Sequence, residues 1–526
     1  MRDARNPSPA PPRAVRPARR RNLSEALLDD PPLDDALPAL RTPVAEWSRG
    51  DLRLRVGSLA AALCEHGLRR GDPVALVLED SPHWVAAFLA AVRLGAVVGL
   101  AGPGLDPDRL GGALRRLGPR LALTDREDVE APLGRITGAD LAQLAAAGLP
   151  DPGPEDTRGD DSCYLLLTSG STGPPKWAIH RHRDIPACLA TYGRHILRLR
   201  PGDVTWSVAA LPTSYGLGNS LYFPLGAGAC AWLDTPATPA TAERACRDGG
   251  ANVLFGVPTF WARLARHVEE GRTNPAAFAA VRLAVSAGER LPEAVWQAVL
   301  RTTGMALVDG LGSSEATNLY LSQRPRHPRP GDVGWVVPGF ALRVVDERGR
   351  PVPDGEVGEL WVRGESVMAG YLGDSETTRS TLENGWLRTR DLVRRNPDAS
   401  YSVIGRVGER FKAGGLWVDP RRVEEEILSA PGVGGAVVLG VEDALGVTRV
   451  VAVVARGAEA DPEALRRDLA ARCRRALAAH EVPRAIAVVD ALPTAPSGKV
   501  RRLEVREIAR AALETAAPNE EVRGGG

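Results

Sequence analysis

Three residues raise a chemical question before any element is assigned. The 526-residue chain carries 66 lysines and arginines together, yet only Lys176, Lys412 and Lys499 are lysine. An ammonium group is a compact point charge that fits between two anions, whereas a guanidinium fork is broad and favours bidentate pairing. The first lysine closes "TSGSTGPPK" (168–176), directly after the apolar run "CYLLL". Small residues with free N–H groups, Ser169 to Gly173, and the hydroxyls of Thr168, Ser169 and Thr172 can wrap an anion closely, and Lys176 adds charge. Its glycine spacing is not that of the GxxxxGK[ST] phosphate loop, and Trp177 follows the lysine. "SGSTG" also lacks the GxSxG spacing of a nucleophile elbow. His180 and His182 in "IHRH" alternate onto one face of a strand, but no third ligand lies nearby in sequence to complete a metal site.

These residues need rigid elements to hold them. "DPVALVLE", "YLLLTSG", "ANVLFGVP" and "VRLAVSAG" read as short buried strands alternating with Ala/Leu/Arg helices, which predicts parallel sheets covered by helices. Several of these strands end in Gly- or Pro-containing turns, at the ends where open α/β sheets bind ligands. The stretch "WVAAFLAAVRLGAVVGLAGPGL" (84–105) is long enough to span a membrane, but Arg93 and four glycines interrupt it. It reads as a buried helix, a turn at Gly95 and a core strand. After about residue 340 the pattern turns to antiparallel hairpins, and from 409 a compact unit follows with the helices "DPRRVEEEIL" and "DPEALRRDLAARCRRAL" and two strands.

Composition narrows the class. At this length two or three domains are expected. A net charge of +1 provides no field for nucleic acid or an anionic membrane. Six scattered cysteines without a CxxC fit a reducing cytoplasm. The Pro/Arg-rich residues 1–22 and the tail 516–526 read as disordered. The chain divides into a domain at 23–404, a hinge at 405–408 and a domain at 409–515.

Five segments together resemble the adenylate-forming superfamily of acyl- and aryl-CoA synthetases, most nearly benzoate-CoA ligases. "YLLLTSGSTGPPKWAIHRH" resembles its phosphate loop, "DGLGSSEATNLYLS" (309–322) its DGxGSTE segment, and "GWLRTRDL" (385–392) the segment with its ribose-binding aspartate. "VIGRVGERFKAGGLWVDPRRVEEEI" resembles the hinge and the start of the mobile C-terminal domain, and "PTAPSGKVRR" the C-terminal lysine motif. The likeness covers about residues 40–510 and places each lysine inside one motif. It implies a large N-terminal α/β domain with a small β subdomain, and a small mobile α+β C-terminal domain.

The resemblance also implies roles. A carboxylate attacks the α-phosphate of ATP, giving an acyl-AMP and pyrophosphate; two anions approach, so cations and donors must screen them. Lys499 bridges the carboxylate and α-phosphate, Lys412 is a second phosphate- or carboxylate-contacting residue, and Ser314 supplies a hydroxyl where the family has threonine. Glu315 stands at the magnesium-coordinating glutamate, Mg²⁺ being a hard cation that suits carboxylate and phosphate oxygens. The loop Thr168, Ser169, Gly170, Ser171, Thr172, Gly173 and Lys176 takes the phosphates. Ala287, Gly288, Glu289, Asp309 and Gly310 wall the adenine; Asp391 and Arg406 hold the ribose. Ser214, Tyr215, Gly312, Asn318 and Leu319 line an aryl pocket, where Ser214 and Asn318 add polar groups that favour a hydroxy- or amino-substituted benzoate. A thiol enters past Gly414 and Gly415.

Two positions depart from the family: Trp177 replaces a glycine, and Gly408 stands where the hinge has Asp or Lys. The implied partners are an aromatic carboxylic acid and either CoA or the phosphopantetheine arm of a separate carrier protein. A homodimer is compatible with the sequence. The competing class is an adenylate-binding protein that does not turn over or that serves a non-thiol acceptor.

Overall fold

The computed structural model describes residues 22–29, 33–168, 175–407, 411–413, 416–443, 446–457, 460–494 and 500–515. Two largely parallel sheets form the body. In the first, strands Pro73–Val77, Val97–Leu100, Leu121–Thr124 and Ser162–Thr168 run parallel. Lys176–Arg181 then folds back antiparallel on Ser162–Thr168, and Gly370–Tyr371 joins its outer edge. In the second, Val204–Ser207, Cys230–Trp232, Val253–Gly256, Leu283–Ala287 and Leu307–Gly312 are parallel, and Leu319–Ser322 returns antiparallel. Strands such as "VLFG" and "LAVSA" are buried at every position, as expected where helices cover both faces.

The 84–105 segment folds as a buried helix, Pro82–Arg93, and the strand Val97–Leu100, with the turn at Gly95. Arg93, only 5% exposed, ends this helix and pairs with Asp29 and Asp151 at 2.8 and 2.6 Å. Among the described residues no helix is long and apolar enough to cross a membrane. Asn22, grouped in sequence with the tail, belongs to the fold. It is 1% exposed, caps helix Leu23–Leu28, and donates to the carbonyls of Val92 and Arg93.

A five-stranded antiparallel subdomain follows, built from Ala341–Val345, Val357–Arg363, Leu382–Glu383, Trp386–Arg395 and Tyr401–Arg406. Gly405 and Arg406, assigned to the hinge, are paired residues of its last strand. The C-terminal unit holds the hairpin Phe411–Ala413/Leu416–Val418 and strands Val433–Glu442 and Thr448–Arg456. Its helices are Pro420–Leu428, Pro462–Ala476 and Arg502–Thr515. The strand Ala485–Val489 and the last helix were not read from sequence. This unit docks on the larger domain through an Arg290–Glu425 ion pair, and the Val500 N–H donates to Glu289 at 2.8 Å.

Candidate active site

Lys176 begins the returning strand, in register with Thr168, whose hydroxyl donates to the Lys176 carbonyl at 3.2 Å. Its ammonium donates to Thr377 at 2.9 Å and lies 3.5 Å from Asp374. Asp374 caps the helix Ser375–Thr381, and accepting the Thr377 N–H holds its carboxyl below the usual range. The ammonium also sits 5.6 Å above the Tyr371 ring, and the Tyr371 hydroxyl donates to Glu315 at 2.8 Å. A chain of contacts thus runs from Lys176 to Glu315 across two strands of one sheet to a turn between two strands of the other.

Ser314 and Glu315 occupy a single tight turn, Ser314–Ala316, between strands Leu307–Gly312 and Leu319–Ser322. Gly312 is obligatory there, because a Cβ would lie 2.4 Å from the Asn318 carbonyl oxygen. The turn ends at Thr317, fully buried with φ +68°, whose hydroxyl donates to the Ser366 carbonyl. The Ser314 carbonyl accepts from His180 Nε2 at 2.9 Å, and the Ser314 hydroxyl meets Ser214 at 3.3 Å. The turn is therefore gripped from the phosphate-loop sheet on one side and from the pocket helix on the other.

The remaining residues cluster at the strand ends. Ala287 ends strand Leu283–Ala287, and Gly288 follows with φ +92°, which only glycine adopts freely. Asp309 and Gly310 lie beside Ser286 and Ala287 in register. Asp309 is 5% exposed, and its Oδ1 has no hydrogen-bond partner among the described residues. Burial pushes its carboxyl well above the usual range. Asp391 and Arg406 face each other across Trp386–Arg395 and Tyr401–Arg406, with Arg406 Nε 3.1 Å from Asp391 and the Tyr320 hydroxyl donating to the same carboxylate.

Around the expected pocket, Tyr215 is set edge-to-face on Phe255, and burial raises its hydroxyl pKa well above the ordinary value. Leu319 is buried opposite Gly312. Asn318 differs from the sequence expectation of an amide awaiting a ligand. One N–H is committed to the Tyr222 hydroxyl at 3.0 Å, and its oxygen accepts the Leu319 N–H.

Matches to known proteins decide the family. The model described as "AMP-binding enzyme" matches residues 33–372, and "AMP-binding enzyme C-terminal domain" matches 422–499. The chain belongs to the AMP-binding enzyme family. It is 33% identical to the 4-hydroxybenzoate-CoA/benzoate-CoA ligase of Rhodopseudomonas palustris, over 91% of this chain and 92% of that one. It is 35% identical to p-hydroxybenzoic acid-AMP ligase FadD22 of Mycobacterium tuberculosis over 88% of this chain, but spans only 65% of that relative's length. The anthranilate CoA ligase AuaEII, solved with anthranoyl-AMP, superposes with a TM-score of 0.86 at 29% identity, covering 94% of this chain and 98% of that one. The α/β body, β subdomain and C-terminal domain are those of the adenylate-forming superfamily.

In this AMP-binding enzyme, Ser169, Gly170, Ser171, Thr172, Gly173, Gly408, Gly414, Gly415 and Lys499 lie outside the described residues, as does the Lys412 side chain on strand Phe411–Ala413. Trp177 packs inward. It is 1% exposed, lies against Leu117 and its neighbours under helix Pro107–Leu117, and donates to the Ala113 carbonyl at 2.8 Å. The two histidines are structural: His180 stacks on Tyr164 and holds Ser314, and His182 accepts the Leu23 N–H. Burial pulls His182 down to about 4. Sequence reading passed over Tyr371, Asp374 and Thr377, which hold Lys176 and Glu315. Their only signal was a tyrosine between glycines in "AGYLGD" and an Asp cap.

Proposed function

We propose that this chain activates an aromatic carboxylic acid with ATP and transfers the acyl group to a thiol, most simply that of CoA. The observation that carries the reading is the Ser314–Glu315 turn. Lys176 reaches it through Tyr371 on one side and Ser214 reaches it directly on the other, which supports reading the two sides as a phosphate site and an acid pocket. The names of the relatives, ligases of benzoate, hydroxybenzoate and anthranilate, support an arene as the acid.

In this reading the carboxylate oxygen attacks the α-phosphorus, the bond to the β,γ-diphosphate breaks, and pyrophosphate leaves. A thiolate then attacks the acyl carbon and AMP departs. Lys176 and the loop from Thr168 hold the phosphates. The Ser314 hydroxyl faces the α-phosphate, and Lys499 screens the approaching anions. Asp391 and Arg406 hold the ribose, and Asp309 Oδ1, without a hydrogen-bond partner among the described residues, suits an exocyclic amine of a purine. Glu315 fits a magnesium ion, because a single carboxylate beside phosphate oxygens is the donor set Mg²⁺ takes; when bound, the ion would neutralise phosphate charge. Pyrophosphate release from ATP across a panel of arene- and alkanecarboxylates, with and without CoA, tests the reading. It expects release with arenes and acyl-CoA only when CoA is added. Release without acyl-CoA in the presence of CoA would assign the acceptor to a carrier protein instead.

A further inference from the structure

Four residues after His180 stands Asp184, a residue no motif singled out. It is fully buried, and its carboxylate meets two neighbours on the strand Lys176–Arg181. Oδ2 lies 3.1 Å from His180 Nδ1 and accepts the Arg181 N–H, while Oδ1 accepts from Arg181 Nε at 3.1 Å. Both neighbours reach onward to the Ser314–Ala316 turn. The His180 ring spans it: Nε2 donates to the Ser314 carbonyl at its start, and Nδ1 lies 3.0 Å from the Thr317 hydroxyl at its end. The Arg181 guanidinium donates to the carbonyls of Glu365 and Val367. That segment holds the middle of the turn. The Ser366 hydroxyl donates to the Ala316 carbonyl at 2.9 Å, and the Met368 N–H donates to the Glu315 carbonyl at 2.7 Å.

The carbonyls of Ser314, Glu315 and Ala316 are thus all bonded by two segments, and both segments are tied to one carboxylate. With the carbonyls taken, the Ser314 hydroxyl and the Glu315 carboxylate are left to meet Ser214 and Tyr371. A buried carboxylate is costly unless its charge is matched, and Arg181 matches it here. Loss of that carboxylate would loosen both grips together. A reacting group displaced by about 1 Å can lose about a hundredfold in rate.

We propose that Asp184 is a positioning residue for acyl-AMP formation: it orients His180 and Arg181 so that the turn is fixed by its carbonyls and the Ser314 hydroxyl and Glu315 carboxylate are held at the phosphates. This rests on the reading above in which those two groups face ATP. The test is kcat for pyrophosphate release by the full chain, with the most active arenecarboxylate of the panel above, assayed well below the lowest melting temperature of the set. Asp184→Asn keeps the shape but turns one acceptor oxygen into a donor that faces donors, and kcat should fall by about tenfold or more. Arg181→Lys keeps the charge but cannot span Asp184 and the 365–367 carbonyls together; its kcat should fall by about fivefold, and it carries the test if Asp184→Asn fails to fold. Each variant is then repeated in a Ser314→Ala background. Residues that act through one group are not additive, so each effect should shrink by about twofold or more there. A loss that came from stability alone would keep its size in both backgrounds. Effects that shrink by less than twofold, or an Asp184→Asn enzyme within twofold of wild type, overturn the positioning role and leave the reading of the turn standing. If Ser314→Ala and Glu315→Gln alone each leave kcat within twofold of wild type, that reading fails, and the positioning role with it.

Discussion

At the scale of single residues, the groups expected to meet ATP are already held by protein partners. Lys176 is held by Asp374 and Thr377. On the proposed reading a triphosphate must compete with Asp374 for that ammonium. Asparagine caps a helix as well as aspartate does but carries no charge. Asp374→Asn should therefore keep helix Ser375–Thr381 and lower the KM for ATP by about two- to fivefold, the worth of a partly exposed ion pair. A KM that rises instead would show that Asp374 assists the nucleotide. Asp80 makes a second residue-scale case. Both its oxygens accept the Leu211 N–H, at 3.1 and 3.0 Å, at the start of the loop carrying Ser214 and Tyr215, and burial raises it to about 7. Between the ordinary aspartate range and that value the folded chain keeps a proton that the unfolded chain has released, so the stability this group contributes is lost progressively as pH rises from about 4 to about 7. Asp80→Asn retains an acceptor without the charge. Its melting temperature relative to wild type should climb between about pH 4 and about pH 7 and level off above that, and an offset independent of pH would refute the assignment.

At the scale of elements, what could be read from sequence was whatever the local pattern determines. The buried strands, the helix Pro82–Arg93 and the helices of the C-terminal unit follow from apolar runs and from caps such as Asp419 and Asp461. The five motifs located the Ser314 turn, the Asp391–Arg406 pair and Lys176 because each is a contiguous string. Partners supplied from a distant strand left no such string. Tyr371 reaches Glu315 from an edge strand 56 residues away, and Tyr222 reaches Asn318 across 96. Trp177 shows the same limit. Position in the motif said only that glycine was missing, whereas its destination depends on Leu117 and Gly99, where a Cβ would stand 3.4 Å from the indole. Since the ring fills core, Trp177→Ala should cost about 3–5 kcal/mol of stability by urea denaturation, the range for a buried aromatic truncation. A loss under about 1 kcal/mol would place the indole outside the core.

At the scale of the whole molecule, the C-terminal unit meets the larger domain, among the described residues, through the Arg290–Glu425 ion pair, the Val500–Glu289 hydrogen bond and the Arg421 guanidinium on the Val403 carbonyl. Glu289, expected at the adenine wall, also accepts the Val500 N–H, next in sequence to Lys499. A hydrogen bond to a charged acceptor contributes about 1.5–3 kcal/mol. On the proposed two-step reading, in which the unit leaves this position before the thiol enters, Glu289→Ala should slow acyl-AMP formation by about tenfold or more and slow thioester formation from supplied acyl-AMP much less. Equal losses in both half-reactions would confine Glu289 to the nucleotide.

The Thr317 backbone, held at φ +68° in a fully buried site, bears on how this enzyme could diversify. Such a conformation costs on the order of 1–3 kcal/mol in a residue with a branched Cβ and persists only because its surroundings over-determine it. The Ser314–Glu315 turn that it terminates therefore has one position and no graded alternatives. A lineage seeking a new acid cannot drift by nudging that turn aside. On the proposed reading its accessible route is exchange of the side chains around the acid, one at a time, against a turn that stays where it is.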